Sequence, residues 1–450
     1  MLRPATLLVL LISLFQQSSY SQNCQRTGLC KLAIPGDFDL NKRLLLKENW
    51  NDFAAVDLEN EFPIFSNQVL NVASIRLDAL GCIYPSFINN GTYRNEFLDE
   101  QRSQTKYNKL SFYRVFEQQP NLLNAHLSTS EIDSLKSISF HHDSLYAARY
   151  YAFRAFWNRK FLGDKITELD KKIAERKIKR VFFFVHGFNV PSSLAQLQGN
   201  AIFRRILQDQ SLRPEETLFV RVFWPSMSEK RNDFVNVDKC DIRNRKLRVF
   251  KSNLFSYVSN RGYLCGQTLN TILSQLPNDI EYNFISHSFG STLSAAMLFS
   301  PTAKINVNAR GSHYNSRLLA LFSNQPKLSE KKINFFMHAA GMAGRATFAD
   351  LSLANNTNHY FYLGYNERDK ILLKQVLWLF KKPHGKSSTA LGCNADGEAD
   401  KVVALADRTG LLSRFVASST STLREHDIFC YMQQTQFDNF FTTFLQRTSN

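Results

Sequence analysis

The chain has 450 residues, 44% of them hydrophobic, and a formal charge of +16. That is enough apolar material for one large domain or two ordinary ones, and it excludes a globally disordered chain. With 38 Phe against 18 Gly and 12 Pro, it also excludes fibrous and low-complexity classes.

The first residues read as a signal peptide over 1–21. Arg3 supplies a positive start, Leu7 to Phe15 an apolar run broken by Ser13, and Ser19-Tyr20-Ser21 a small-x-small cleavage site. The run is far shorter than the roughly 20 apolar residues a membrane-spanning helix needs. The expectation is therefore an exported protein, secreted or periplasmic. Export permits disulfides among Cys24, Cys30, Cys82, Cys240, Cys265, Cys393 and Cys430, and an odd count leaves at least one thiol without an intrachain partner. Asn90-Gly91-Thr92 and Asn355-Asn356-Thr357 have the form of glycosylation sequons. The basic stretches 171–180 and 230–251 are interleaved with acidic residues, which reads as a solvated surface, with peripheral contact to anionic surfaces as the alternative. No nucleic-acid recognition motif and no Cys/His zinc spacing is present, so neither nucleic acid nor a metal or other cofactor is expected.

Residues 22–160 form an N-terminal region without a nameable motif. Apolar residues at helical spacing predict helix over about 128–161, and a charged amphipathic helix over 164–180. From 161 onward the pattern becomes that of a catalytic domain. Val181 to Val185 is a wholly apolar run, as expected of a central strand buried on both faces, and it ends at His186-Gly187. A helix over 194–208 and a strand over 217–223 follow, the latter stopped by Trp224-Pro225-Ser226. Helix 264–276, strand 280–285 and helix 291–299 come next. Strands are expected again at 333–337 and 360–363, and helices at 370–380 and 433–446. Strands alternating with helices at this spacing predict an α/β fold with a mostly parallel sheet and helices on both faces. Two stretches, 227–261 and 301–332, read as insertions at the edge of the sheet where sites are built.

The chemistry centres on Ser286-His287-Ser288-Phe289-Gly290, set between a buried strand and a helix. A nucleophile elbow needs small residues two before and two after its serine, because strand and helix nearly touch there. Ser286 and Gly290 meet that need, which makes Ser288 the candidate nucleophile. The backbone N–H of Phe289 is then one oxyanion donor, and the N–H of Phe188, in the His186-Gly187-Phe188-Asn189 loop after the first strong strand, the second. Gly187 and Trp224 are assigned to substrate binding, with Gly187 letting the backbone approach the substrate. His186 precedes the serine and reads as a structural residue of its loop, since the chain order in α/β-hydrolases is serine, acid, histidine. After strand 360–363 come Glu367 and Asp369, of which Asp369 is the preferred acid. His384 and His426 follow, and His426, just before the final helix, is the preferred base.

The order HGFN, WPS, then HSxG, as His186 to Asn189, Trp224 to Ser226 and His287 to Gly290, resembles a family of bacterial α/β-hydrolases of unknown function. The likeness covers about 179 to the C-terminus. It implies the α/β-hydrolase fold, a late Asp and His completing a triad, and the activity of a serine esterase. One departure is His338-Ala339-Ala340-Gly341, which stands where the family more often ends a strand in a small residue, proline and an acid. The functional expectation is a serine hydrolase that cleaves an ester, thioester or amide through an acyl-serine intermediate, acting on a small-molecule or lipid-like acyl substrate. The alternatives are a non-catalytic binding or scaffold protein that kept the fold, or a lipase working at anionic membrane surfaces.

Overall fold

A computed structural model describes residues 71–85, 124–139, 146–226, 254–299, 326–341, 358–372, 391–421 and 426–449, apart from a few positions within these stretches. The signal peptide, both sequons, Cys24, Cys30, Cys240, His384, helix 370–380 and the bulk of the two insertions lie outside the described residues.

The architecture is α/β. Seven strands, β1 (Asn71–Arg76), β2 (Arg180–Val185), β3 (Thr217–Phe223), β4 (Glu281–His287), β5 (Lys332–His338), β6 (His359–Tyr365) and β7 (Phe415–Ser419), form one sheet in the order β1-β3-β2-β4-β5-β6-β7. Every pairing is parallel. A parallel sheet needs crossovers that cover both faces, so its inner strands are apolar on both sides. Phe182 and Phe184 of β2 accordingly enter one core and Val181, Phe183 and Val185 the other.

Eight helices are described: α1 (Thr129–Ser139), α2 (Tyr146–Glu175), α3 (Ser192–Leu207), α4 (Leu254–Gln275), α5 (Gly290–Leu298), α6 (Glu398–Arg408), α7 (Ile428–Tyr431) and α8 (Thr435–Ser449). One face of the sheet packs residues of α2, α4 and α5, and the other packs residues of α3 and α8. The apolar stripe of α8 closes around a single ring: Phe336 of β5 meets Phe437, Phe440, Phe441 and Phe444 at centroid distances of 4.9 to 5.7 Å. Helix α1 starts on a capping box, in which Ser128 N–H donates to Glu131 Oε2 at 2.8 Å and Glu131 N–H to Ser128 Oγ at 3.3 Å. The Lys160 ammonium first, and then the Ser128 N–H, lower the Glu131 carboxyl to about 2.

Four sequence expectations change. Strands β1 and β7 were not anticipated. The two predicted helices at 128–161 and 164–180 become α1 and α2, with the division expected at 160/161 lying inside α2, and β1 from the N-terminal region pairs with β3. The 22–160 segment therefore contributes a strand to the same sheet. Helix α4 also begins ten residues earlier than its periodicity suggested, taking in the end of the expected 227–261 insertion.

The chain order runs from β2 outward to β3, then back across β2 to β4, and on through β5, β6 and β7. The direction of winding reverses between β2 and β4. In an open parallel sheet such a reversal splays the loops beyond the two carboxyl ends apart and leaves a crevice. The loops that open there carry Gly187 and Ser288.

Candidate active site

Ser288 occupies the turn between β4 and α5. Its φ of +54° is in the left-handed region, which costs a residue with a Cβ of order 1 kcal/mol or more. The surrounding bonds impose it. Ser288 N–H donates to the His338 carbonyl at 3.0 Å, and the Ser288 carbonyl accepts from Ser291 N–H at 3.1 Å and Gly341 N–H at 3.0 Å. Strand and helix are close enough here that a Cβ on Gly290 would lie 2.5 Å from the Val185 carbonyl oxygen and 2.6 Å from that of His186. At the other small position Ser286 is buried, with its hydroxyl 3.1 Å from that of Ser291. A serine is thus accommodated where glycine is usual, because a neighbouring hydroxyl satisfies it.

The structure brings Ser288, His426 and Asp369 together. Ser288 Oγ lies 2.7 Å from His426 Nε2, and His426 Nδ1 lies 2.5 Å from Asp369 Oδ2. Asp369 follows β6 and is fully buried, whereas Glu367 is exposed. His426 comes from the loop between β7 and α7. If Nδ1 carries the proton, donating to the carboxylate, Nε2 is free to accept the serine hydroxyl.

Three further residues complete this arrangement that sequence reasoning missed. Tyr431, at the end of α7, donates its phenol to Asp369 Oδ2 at 2.5 Å. Asn366 donates to the Tyr431 oxygen at 3.3 Å. His338 packs edge-on against Tyr431 at 4.3 Å, with its Nε2 2.7 Å from Thr420 Oγ1. Tyr431 stands five positions after His426, and nothing but that proximity marked it.

Phe188 and Phe289, the expected oxyanion pair, come side by side with ring centroids 5.8 Å apart. Gly187 packs on the elbow itself: a Cβ there would stand 3.0 Å from Ser288 Cβ and 3.0 Å from His287 Nδ1. Gly187 thus stands at the shoulder of Ser288.

Trp224, assigned above to substrate binding, is buried, and its indole N–H donates to the His186 carbonyl at 2.8 Å. Its backbone N–H reaches His186 Nε2 at 3.3 Å, and Ser226 Oγ donates to the Val190 carbonyl at 3.1 Å. An indole at the end of a strand needs a partner when buried, and here that partner is the loop after β2. Trp224 and Ser226 therefore staple the loop that bears Gly187 and Phe188. His186 is part of the same staple. Its Nε2 accepts from Trp224, so Nδ1 carries the proton and faces the Gly187 carbonyl at 3.1 Å. Burial pushes the His186 imidazole down to about 4, which keeps it neutral and structural.

His287, between the two serines, is buried with both ring nitrogens lacking a hydrogen-bond partner. Its ring centroid is 5.0 Å from that of His426. Burial first, then the neighbouring imidazoles, hold its pKa well below the ordinary histidine value. Burial likewise brings His338 down to about 3. Among the described residues near His426, then, burial keeps the His287 and His338 imidazoles neutral, and Asp369 is the buried carboxylate bonded to its ring. Among the described residues no group of three or more His, Cys, Asp or Glu is arranged to hold a metal ion, and no helix is long and apolar enough to cross a membrane.

Comparison with protein-family models, with curated proteins and with solved structures finds no match to this chain.

Proposed function

We propose that the protein is a serine hydrolase of the α/β-hydrolase fold that cleaves an ester, thioester or amide through an acyl-serine intermediate. The observation that carries this reading is Ser288 at φ +54°, its hydroxyl 2.7 Å from an imidazole whose other nitrogen is 2.5 Å from a buried carboxylate. A structural serine has no need of a strained backbone and a buried, oriented base together, whereas a nucleophile needs both. The parallel sheet with its reversal beside Ser288, and the HGFN, WPS and HSxG motifs of the resembling family, support the same assignment. The disulfide at Cys430 supports export to an oxidising compartment.

In this reading Ser288 Oγ attacks the acyl carbon while its proton passes to His426 Nε2. Asp369 holds the imidazole in position and stabilises the imidazolium. The backbone N–H groups of Phe188 and Phe289 receive the charge that develops on the carbonyl oxygen. His426 then gives the proton to the departing oxygen, sulfur or nitrogen as its bond to the acyl carbon breaks. Water next takes the place of the leaving group, delivers a proton to His426 and releases the acid and Ser288 Oγ–H by the same steps in reverse.

The test is labelling of the purified full chain by a fluorophosphonate, together with hydrolysis of p-nitrophenyl esters. The wild type is expected to label stoichiometrically. Ser288→Ala should abolish labelling and lower ester hydrolysis about a thousandfold or more. A folded wild type that does not label would exclude the enzyme and leave a non-catalytic binding protein; labelling that survives Ser288→Ala would put the nucleophile elsewhere.

A further inference from the structure

Asp369 takes two donors on one of its carboxylate oxygens. Its Oδ1 accepts from the Leu372 amide at 3.1 Å, while Oδ2 accepts from both His426 Nδ1 and the Tyr431 phenol, each at 2.5 Å. Tyr431 is fully buried in α7, and Asn366 donates to its oxygen at 3.3 Å. With its oxygen occupied as an acceptor, the phenol hydrogen is directed at the carboxylate. Burial first and the Asp369 charge second raise the Tyr431 pKa well above the ordinary phenol value, so the phenol is a donor at neutral pH.

Two donors on one oxygen share one charge. Each hydrogen bond to a carboxylate withdraws density that the other would use, and such charge-assisted bonds are the strong ones. We propose that Tyr431 is a positioning residue that limits how strongly Asp369 stabilises the His426 imidazolium. The proposal rests on the serine-hydrolase reading above and adds the group that tunes it.

Among the described residues, the other titratable groups near His426 come from three directions. Ser288 and His287 come from the β4 side, His338 from β5 and Asp427 from its own loop. His287 and His338 are neutral through burial, and the Asp427 carboxylate accepts from Phe429 N–H at 3.0 Å. Glu367 and Arg368, beside Asp369 in sequence, are exposed, where solvent screens them. Among these described groups, the charge that changes on removing the Tyr431 hydroxyl is the share of Asp369 available to His426.

The experiment measures the second-order rate of fluorophosphonate labelling against pH for the full chain, for Tyr431→Phe, and for the chain with 2,3-difluorotyrosine incorporated at 431. Tyr431→Phe removes the competing donor, so the imidazolium persists to higher pH and the midpoint of the acid limb should rise by about one unit. The fluorinated ring keeps the hydroxyl and makes it a stronger donor, so its midpoint should fall below that of the wild type. Circular dichroism establishes that each variant is folded. Should Tyr431→Phe fail to fold, the fluorinated protein carries the test alone. A lower rate with unchanged midpoints in both variants would mean that Tyr431 is merely structural and overturns the proposal, while leaving the hydrolase reading intact. A folded wild type that labels at no pH overturns that reading and the proposal with it.

Discussion

At the elbow, the space around single atoms decides what each residue can be. Gly187 has Ser288 Cβ and His287 Nδ1 both 3.0 Å from where its own Cβ would stand, a distance at which the neighbours must yield by a few tenths of an ångström. Gly187→Ala is therefore expected to fold with a melting temperature near the wild type but to label about 10- to 100-fold more slowly, because small displacements of reacting groups cost rate more than stability. An unchanged labelling rate would mean that Ser288 does not depend on this contact. What was legible in the sequence is the turn itself, with Ser288 between a buried strand and a helix and Gly290 two positions on; Asp369 and His426, read from chain order, lie in one hydrogen-bonded line with it. Tyr431 was not legible, because its role depends on a contact 62 positions away and a tyrosine in a four-residue helix has no pattern to betray it. The bond from the Trp224 N–H to the His186 carbonyl was equally invisible in the sequence, since it joins residues 38 positions apart.

The elements divide by how much of their surface is buried. Strands β2, β3 and β4 are buried along nearly their whole lengths; β2 and β3 read as nearly unbroken apolar runs, whereas β4 is buried although Glu281, Asn283, Ser286 and His287 lie in it. The two edge strands give weaker signals. Strand β1 is Asn-Val-Ala-Ser-Ile-Arg, with polar residues at its ends and middle, and β7 is five residues ending in two serines. Edge strands pair on one side only and tolerate such residues, so periodicity did not mark them. Helix α8 is the counterexample, since its phenylalanine spacing was plain and the structure shows what it grips. Phe336 sits among four of its rings, and Phe336→Ala is expected to cost about 3 to 5 kcal/mol, read as a lowered urea midpoint. Because β5 also supplies the His338 carbonyl that holds Ser288 N–H, labelling should slow along with it. A loss of under about 1 kcal/mol would show that α8 re-packs without this ring.

For the molecule as a whole, acid is the stress that its histidines make dangerous. His186, His338 and His359 are held by burial to about 4, 3 and 4, and His287 well below the ordinary value. Each has a folded-state pKa below its unfolded value of about 6.5. Between roughly pH 4 and 6.5 the unfolded chain therefore takes up protons that the native chain refuses, and stability present at neutral pH is lost as the pH falls through that window. Each such histidine contributes about 1 kcal/mol per pH unit, against a total stability of about 5 to 15 kcal/mol for a typical domain. The melting temperature should fall steeply between pH 6 and pH 4, and calorimetry should register proton uptake on unfolding. A melting temperature flat from pH 7 to pH 4.5 would contradict this. The sheet also sets a schedule for synthesis. Strand β1 lies against β3, and the Asn71 side chain donates to the Thr217 carbonyl across 146 positions of chain. At roughly 5 to 20 residues per second, β1 leaves the ribosome on the order of ten seconds before its neighbour exists. Through that interval a strand destined for burial has no native place to go, so the earliest part of the sheet to be made depends on whatever keeps a nascent chain from pairing with the wrong edge.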